Sequence, residues 1–105
     1  MIKHCVFLSL ADPDDAGVLD EPMRLLEGLA ASLPGMLDFS HGPNRDFEAK
    51  TPDHQYGFVA TFSDRAAHLA YEQHPDHQQA GALLIAACKN GYEGILVADL
   101  ETGGE

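Results

Sequence analysis

Hydrophobic and polar positions alternate with a period of two in four separate segments of the chain, and this pattern predicts four β-strands. In residues 2–10 both alternating sets carry bulky apolar side chains, which indicates a strand covered on both faces. A short strand is predicted over residues 36–41 and longer strands over residues 54–62 and 92–100. Between them, residues 45–53 are polar and contain a proline, so they predict a surface loop.

The first helix is predicted over residues 20–33, where apolar positions recur three and four residues apart. Asp20 is the expected N-cap, and the Pro34-Gly35 pair ends the helix. The sequence leaves open an earlier start, near Asp14.

A second helical run begins at Ser63 or Asp64 and is expected to break at His74-Pro75. A residue that precedes proline is pushed out of the α region, so the helix cannot pass through this pair unchanged. A new helix with Pro75 in its first turn, capped by His74 or a neighbour, is predicted to continue to Cys88.

The resulting order is β-α-β-β-α-β, which predicts an α+β, ferredoxin-like fold with a four-stranded antiparallel sheet and helices on one face. The open face of such a sheet would be polar in a monomer, yet several strands carry apolar residues on both faces. A second sheet from an identical chain would cover them, so we expect a homodimer formed through the open sheet face. Residues 1–101 are predicted to form one domain, and the polar, glycine-rich residues 102–105 a frayed tail.

The chain has 105 residues, of which 17 are acidic and 6 are basic, so its formal net charge is −11. This charge repels phosphate, which argues against nucleic acid and anionic membranes as partners. No segment approaches the roughly 18–20 apolar residues of a membrane span, and no cleavage-like region follows the apolar start. Cys5 and Cys88 are too few for a disulfide framework. We therefore expect a soluble, cytoplasmic protein.

Six histidines raise the question of a metal site. His74 and His77 have i, i+3 spacing with Asp76 between them, and His68 could approach only if the helix break folds it back. A zinc or iron site normally needs three or four ligands. We therefore predict no metal and no cofactor, and interpret these residues as solvated or capping histidines; a metal site is the alternative.

A second interpretation pairs His77 with Tyr71, because the break at 74–75 allows both side chains to lean into one cavity. The positive end of the helix dipole disfavours a charged imidazole in the first turn, so His77 is expected to be neutral. A neutral histidine beside a tyrosine hydroxyl is a workable acid/base pair for enolisation or aldol-type chemistry on a carbonyl compound. The alternative is that both residues only secure the kink.

His4 lies in an otherwise apolar strand set, so its side chain is predicted to point into the interior. Such a histidine is often only a satisfied core residue. Because an interior polar group needs a hydrogen-bond partner, a ligand cavity is the other possibility.

Four segments resemble the stress-responsive A/B barrel domain (Dabb) family, and the resemblance extends over about residues 1–101. They are MIKH at 1–4, LPG at 33–35, YEQHPDH at 71–77 and GILVADL at 94–100. The resemblance implies a ferredoxin-like fold that dimerises into an α+β barrel.

The resemblance also implies candidate site residues, because a plant polyketide cyclase of this family performs an aldol condensation without a metal. Its catalytic histidine and tyrosine fall on His77 and Tyr71, and its supporting histidine falls on His4. We add His74 and Phe7 as candidate substrate-binding residues. The expected function is a homodimer that binds a small carbonyl-type molecule between sheet and helices, and acts as a cofactor-free cyclase or lyase if it is an enzyme. The alternative is a non-catalytic, stress-associated structural or interaction protein.

Overall fold

A single four-stranded antiparallel sheet organises the protein, with the strands in the order β2-β3-β1-β4. The computed structural model describes residues 1–103. The strands are β1 (Ile2–Leu8), β2 (Met36–Pro43), β3 (Tyr56–Phe62) and β4 (Ile95–Glu101). The predicted order of strands and helices and the ferredoxin-like α+β class are confirmed.

The helices of the described residues pack on one another and on the sheet. They are α1 (Asp20–Ser32), α2 (Arg65–Gln73) and α3 (Pro75–Ala87), with short 3₁₀ turns at Ala16–Leu19 and Gly91–Gly94. Within residues 1–103, no helix combines the length and the apolar character needed to cross a membrane.

The predicted N-cap of α1 is wrong. Asp20 is the first residue of the helix, and the capping position is held by Leu19, whose side chain makes no capping hydrogen bond. Leu19 already has near-helical dihedral angles (φ −87°, ψ −10°) because it ends the preceding 3₁₀ turn. The chain therefore enters α1 through a tighter helical turn, and Asp20 with Glu21 supplies negative charge at the positive end of the helix.

The last strand begins later than predicted, since the 3₁₀ turn Gly91–Gly94 replaces its first three residues. Asn90 starts this turn in the left-handed region, with φ +58°. The turn carries the chain close to the end of β1, where the amide of Ser9 donates to the carbonyl of Gly94 (2.8 Å) and the amide of Lys89 donates to the carbonyl of Ser9 (2.7 Å). β1 ends at Leu8 and not at residue 10, and Leu10 forms an isolated bridge with Cys88.

The strands present apolar residues to both faces of the sheet, as their alternation predicts. The inward set packs against the helices and includes Ile2, Val6, Leu8, Phe58, Ala60 and Phe62. The cross-strand register places a second apolar set on the opposite, open face: Cys5, Phe7, Val59, Leu96, Ala98 and Leu100. Leu96 and Leu100 are about half exposed in the isolated chain.

Met1 and Thr102 pair beyond the end of the β1–β4 ladder. The amide of Thr102 donates to the carbonyl of Met1 (2.8 Å), and the amino group of Met1 donates to the carbonyl of Thr102 (3.0 Å). Of the predicted frayed tail, Gly104 and Glu105 lie outside the described residues.

Candidate functional site

The site is built around the junction between α2 and α3. His74 has extended dihedral angles (φ −69°, ψ 137°), and Pro75 is the first residue of α3. The Nδ1 atom of His74 accepts a hydrogen bond from the amide of Asp76 (3.0 Å), so His74 caps α3 as predicted. Asp64 is the cap of α2, where its carboxylate accepts from the amide of Ala67 (2.9 Å).

The break brings Tyr71 and His77 together. Their ring centroids lie 4.4 Å apart with an interplanar angle of 55°. Tyr71 is fully buried, whereas His77 is half-buried. The pair proposed from the sequence is therefore in direct contact.

The protonation of His77 follows from its surroundings. Its Nδ1 atom lies 3.2 Å from the carbonyl oxygen of Glu72. Because a carbonyl only accepts, the proton is on Nδ1 and the Nε2 atom is left as a proton acceptor. Burial is the largest influence on this imidazole and lowers the pKa of His77, against the opposing effect of the Glu72 hydrogen bond. The neutral His77 expected from the sequence is therefore favoured mainly by desolvation, whereas the sequence analysis gave the helix dipole as the cause.

The Tyr71 hydroxyl is a buried donor without a partner in the described part of the chain. Burial raises the pKa of Tyr71 well above its ordinary value of about 10, so the hydroxyl keeps its proton. Its Oη atom makes no hydrogen bond to any of the described residues. Leaving a buried polar group unpaired costs about 1–3 kcal/mol, so such an atom is a natural position for a ligand contact.

His4 points inward from β1, as predicted, and packs against this pair. Its ring centroid lies 5.9 Å from that of Tyr71 and 4.7 Å from that of His68. Its Nδ1 atom lies 2.6 Å from Oδ1 of Asp99, the residue directly opposite on β4. The carboxylate accepts this hydrogen bond, so Asp99 fixes the orientation of the imidazole.

His68 belongs to the same cluster, so its interpretation from the sequence as a solvated or capping histidine is wrong. The residue is 2% exposed, and burial is the largest of several influences that lower the pKa of His68. Its Nδ1 atom lies 2.7 Å from Nη1 of Arg65. Its Nε2 atom lies 3.2 Å from Oε1 of Glu72, but the alignment is too poor for a hydrogen bond, and this nitrogen has no partner among the described residues. The i, i+3 spacing of His68 and Tyr71 on the apolar face of α2 is the sequence signal for this contact.

Three groups in the cluster could act as metal ligands. One nitrogen each of His4 and His68 and one carboxylate oxygen of Asp99 lie within 4.8 Å of one another. This grouping differs from the set that the sequence suggested, in which His74 and His77 flanked an acidic residue.

Phe7 does not join the cluster. It lies on the open face of the sheet, where its ring packs over Gly57; a Cβ atom added at Gly57 would lie 3.0 Å from the ring. Phe7 lines an open cleft of about 620 Å³, bounded also by the loop between β2 and β3. That cleft and two smaller ones among the described residues are not lined by His4, Tyr71 or His77.

The lowered pKa values of His68 and His77 predict that acid destabilises the protein. In the unfolded chain both rings take up protons near their ordinary pKa of about 6.5, while the folded chain resists this. The contribution of these two rings to the free energy of unfolding is therefore fully present above pH 6.5. It falls as the pH is lowered toward the pKa values of the folded protein, by at most about 1.4 kcal/mol per pH unit for each ring. Urea unfolding at pH 7.5 and 5.5 should show a smaller loss for His77→Gln than for the wild type.

The matched control is His54→Gln, which changes a half-buried loop histidine. It should lose as much stability as the wild type between the two pH values. Equal losses in the wild type and the His77→Gln variant would contradict the assignment of a buried, neutral His77.

Solved structures share this fold. A dimeric ferredoxin-like protein of unknown function from Jannaschia sp. CCS1 is 50% identical, with 96% of this chain and 98% of that chain covered and a TM-score of 0.92. A Dabb family protein from Mesorhizobium loti is 23% identical, with 98% of this chain and 97% of that chain covered and a TM-score of 0.68. A hydroxynitrile lyase from Passiflora edulis is 17% identical, with 99% of this chain and 94% of that chain covered and a TM-score of 0.77. At these lower identities the last two show the fold alone.

No curated protein is similar enough to the chain to count as a match. The model of one protein family, described as the Stress Responsive A/B Barrel Domain or Dabb, matches residues 2–102. The match extends over β1–β4 and all three helices, including the junction that carries Tyr71 and His77. The chain belongs to the stress-responsive A/B barrel domain family.

Proposed function

We propose that this protein is a homodimer that binds a small carbonyl compound between sheet and helices and acts on it as a cofactor-free lyase or cyclase. His77 is the base and Tyr71 is the hydroxyl donor. The observation that carries the proposal is the protonated Tyr71 hydroxyl, which has no partner among residues 1–103 and lies beside a neutral His77 whose Nε2 atom can accept a proton.

The proposed chemistry needs a proton acceptor at the carbon next to a carbonyl group and a proton donor at the carbonyl oxygen. The Nε2 atom of His77 takes the proton from the carbon next to the carbonyl, and negative charge then grows on the carbonyl oxygen. The Tyr71 hydroxyl donates to that oxygen in a water-poor interior, where such a contact is stronger than in water. His4 is the auxiliary residue of the site, because Asp99 holds its Nδ1 atom and thereby orients its ring beside Tyr71.

The two other candidate residues have different places in this proposal. The side chain of His74 accepts the amide hydrogen of Asp76 and so maintains the break that positions Tyr71 and His77. Phe7 lies on the open face and contributes to the interface between the two chains.

The proposed dimer rests on the apolar open face of the sheet and on the dimeric description of the Jannaschia protein, which is 50% identical. Each chain carries a net charge of −11, so two copies repel one another at long range. The interface must therefore be apolar, and the strip formed by Phe7, Leu96 and Leu100 has that character.

A charge placed on this strip should separate the chains. In light scattering at micromolar concentration we expect the wild type at twice the chain mass of 11.3 kDa and the Leu96→Lys variant at 11.3 kDa. Val18→Lys is the control, because Val18 is similarly exposed but lies on the 3₁₀ turn before α1, and this variant should stay dimeric. A monomeric wild type, or a dimeric Leu96→Lys variant, would contradict the proposed interface.

The proposed chemistry can be tested without knowledge of the natural substrate. Acetophenone and 2-heptanone have exchangeable protons next to the carbonyl, and their exchange in D₂O is followed by ¹H NMR. Chelator-treated wild-type protein should accelerate the exchange over buffer, and His77→Ala and Tyr71→Phe should each lower that acceleration by about 10²-fold or more. His54→Ala, a change in a loop outside the cluster, should leave the rate unchanged.

Two results would contradict the proposal. One is a wild-type protein that does not accelerate exchange of either ketone. The other is an acceleration that survives in both His77→Ala and Tyr71→Phe, since the exchange would then arise elsewhere on the surface.

A second candidate function is a non-catalytic, stress-associated structural or interaction protein. The close packing favours it, since Tyr71 is 0% exposed and none of the three clefts is lined by His77. In that case the wild type remains a dimer, but neither ketone exchanges faster nor raises the melting temperature.

A further inference from the structure

We propose that His4, His68 and Asp99 form a binding site for a divalent transition-metal ion of the zinc class. This site goes beyond the proposed function and shares only His4 with it. Three elements supply the ligands: β1 carries His4, β4 carries Asp99 and α2 carries His68. Two imidazoles and one carboxylate are a ligand set that zinc and neighbouring first-row ions accept.

The backbone already holds the three side chains close together. Antiparallel pairing sets His4 directly opposite Asp99, and α2 places the ring of His68 4.7 Å from that of His4, centroid to centroid. The ligand atoms lie within 4.8 Å of one another. Bonds of about 2.0–2.2 Å in a tetrahedral zinc site hold ligand atoms about 3.3 Å apart, so side-chain rotations of modest size complete the geometry.

The His68 side chain supplies an independent indication of a ligand. It is 98% buried, and its Nε2 atom makes no hydrogen bond to the described residues. This nitrogen could bind an ion once its proton has moved to Nδ1. The carboxylates of Asp99 and Glu72 provide negative charge on both sides of it, and Asp99 is 44% exposed, which gives an ion a route from solvent.

Arg65 is expected to weaken metal binding at this site, and this effect can be tested by substitution. Its guanidinium can only donate, so the contact of 2.7 Å with Nδ1 of His68 keeps the imidazole proton on Nε2. A metal on Nε2 requires that proton to move to Nδ1. The guanidinium must then turn away from His68, and its existing hydrogen bond from Nη1 to the Glu72 carboxylate (3.2 Å) would retain it. Removing Arg65 should therefore strengthen metal binding.

Three protein ligands leave one coordination position for water, as in catalytic zinc sites. The Tyr71 ring lies 5.9 Å from His4 and 6.2 Å from His68, centroid to centroid, and carries the second unpaired polar atom of the cluster. The site therefore places an open metal position beside a free hydroxyl donor.

The test uses full-length, tag-free protein treated with chelator and titrated with Co²⁺, whose ligand-field absorption reports the coordination geometry, and with Zn²⁺ by calorimetry. Excess Mg²⁺ and 0.1 M NaCl suppress binding by the acidic surface. We expect one ion per chain with a dissociation constant of about 1 μM or below. His68→Ala and Asp99→Asn should weaken binding about 10²-fold or more, and Arg65→Met should tighten it about tenfold.

Asp99→Asn alters a part-exposed strand position without changing its shape, so it tests the site even if His68→Ala fails to fold. His54→Ala is the matched histidine control and should bind as the wild type does. The proposal is overturned by wild-type binding weaker than about 100 μM, by six-coordinate Co²⁺ spectra that Mg²⁺ abolishes, or by equal affinity in Asp99→Asn. Because ketone exchange is measured on chelator-treated protein, failure of one proposal leaves the other standing.

Discussion

The proline ring at position 75 determines the arrangement of the interior. Pro75 has no amide hydrogen, and within a continuous helix its ring would collide with the carbonyl of Tyr71, four residues earlier. That carbonyl instead accepts from the amide of His74 (3.1 Å), and the side chain of His74 accepts from the amide of Asp76. On one straight helix the side chains of Tyr71 and His77 would point about 120° apart. The change of direction at Pro75 brings the centroids of the two rings to 4.4 Å from one another. A proton acceptor, His77, therefore lies beside a proton donor, Tyr71.

Features that depend on local chemistry could be predicted from the sequence, whereas features that depend on register could not. Proline geometry and capping preferences predict the break and its cap, and the alternation of β1 predicts an inward His4. The contact between Asp99 and His4 was not predicted, because it depends on the cross-strand pairing of residues 95 positions apart in the sequence. The role of His68 depends likewise on how α2 docks on the sheet. The Asp20 cap was wrong because a 3₁₀ turn had already brought the chain into helical geometry.

The polar atoms that make the buried cluster suitable for binding a ligand also lower the stability of the folded protein. Two polar atoms, Oη of Tyr71 and Nε2 of His68, lack hydrogen-bond partners among the described residues, and each such atom costs about 1–3 kcal/mol. A small domain has only about 5–15 kcal/mol of total stability, so this is a substantial fraction of it. Both proposals give these atoms a partner: a carbonyl oxygen for the hydroxyl and a metal ion for the imidazole. The apolar face on the other side of the sheet, through which we propose that two chains pair, is separate from this chemistry.

The Tyr71 hydroxyl makes no hydrogen bond to the described residues, and the free energy of unfolding of Tyr71→Phe tests this most directly. The substitution removes one oxygen and keeps the ring packed against His77. If the hydroxyl is unpaired in the folded protein, urea unfolding of the chelator-treated protein should show the variant to be at least as stable as the wild type, by up to about 1–3 kcal/mol. A loss of about 1 kcal/mol or more would show that the hydroxyl is already hydrogen-bonded, and would contradict the account.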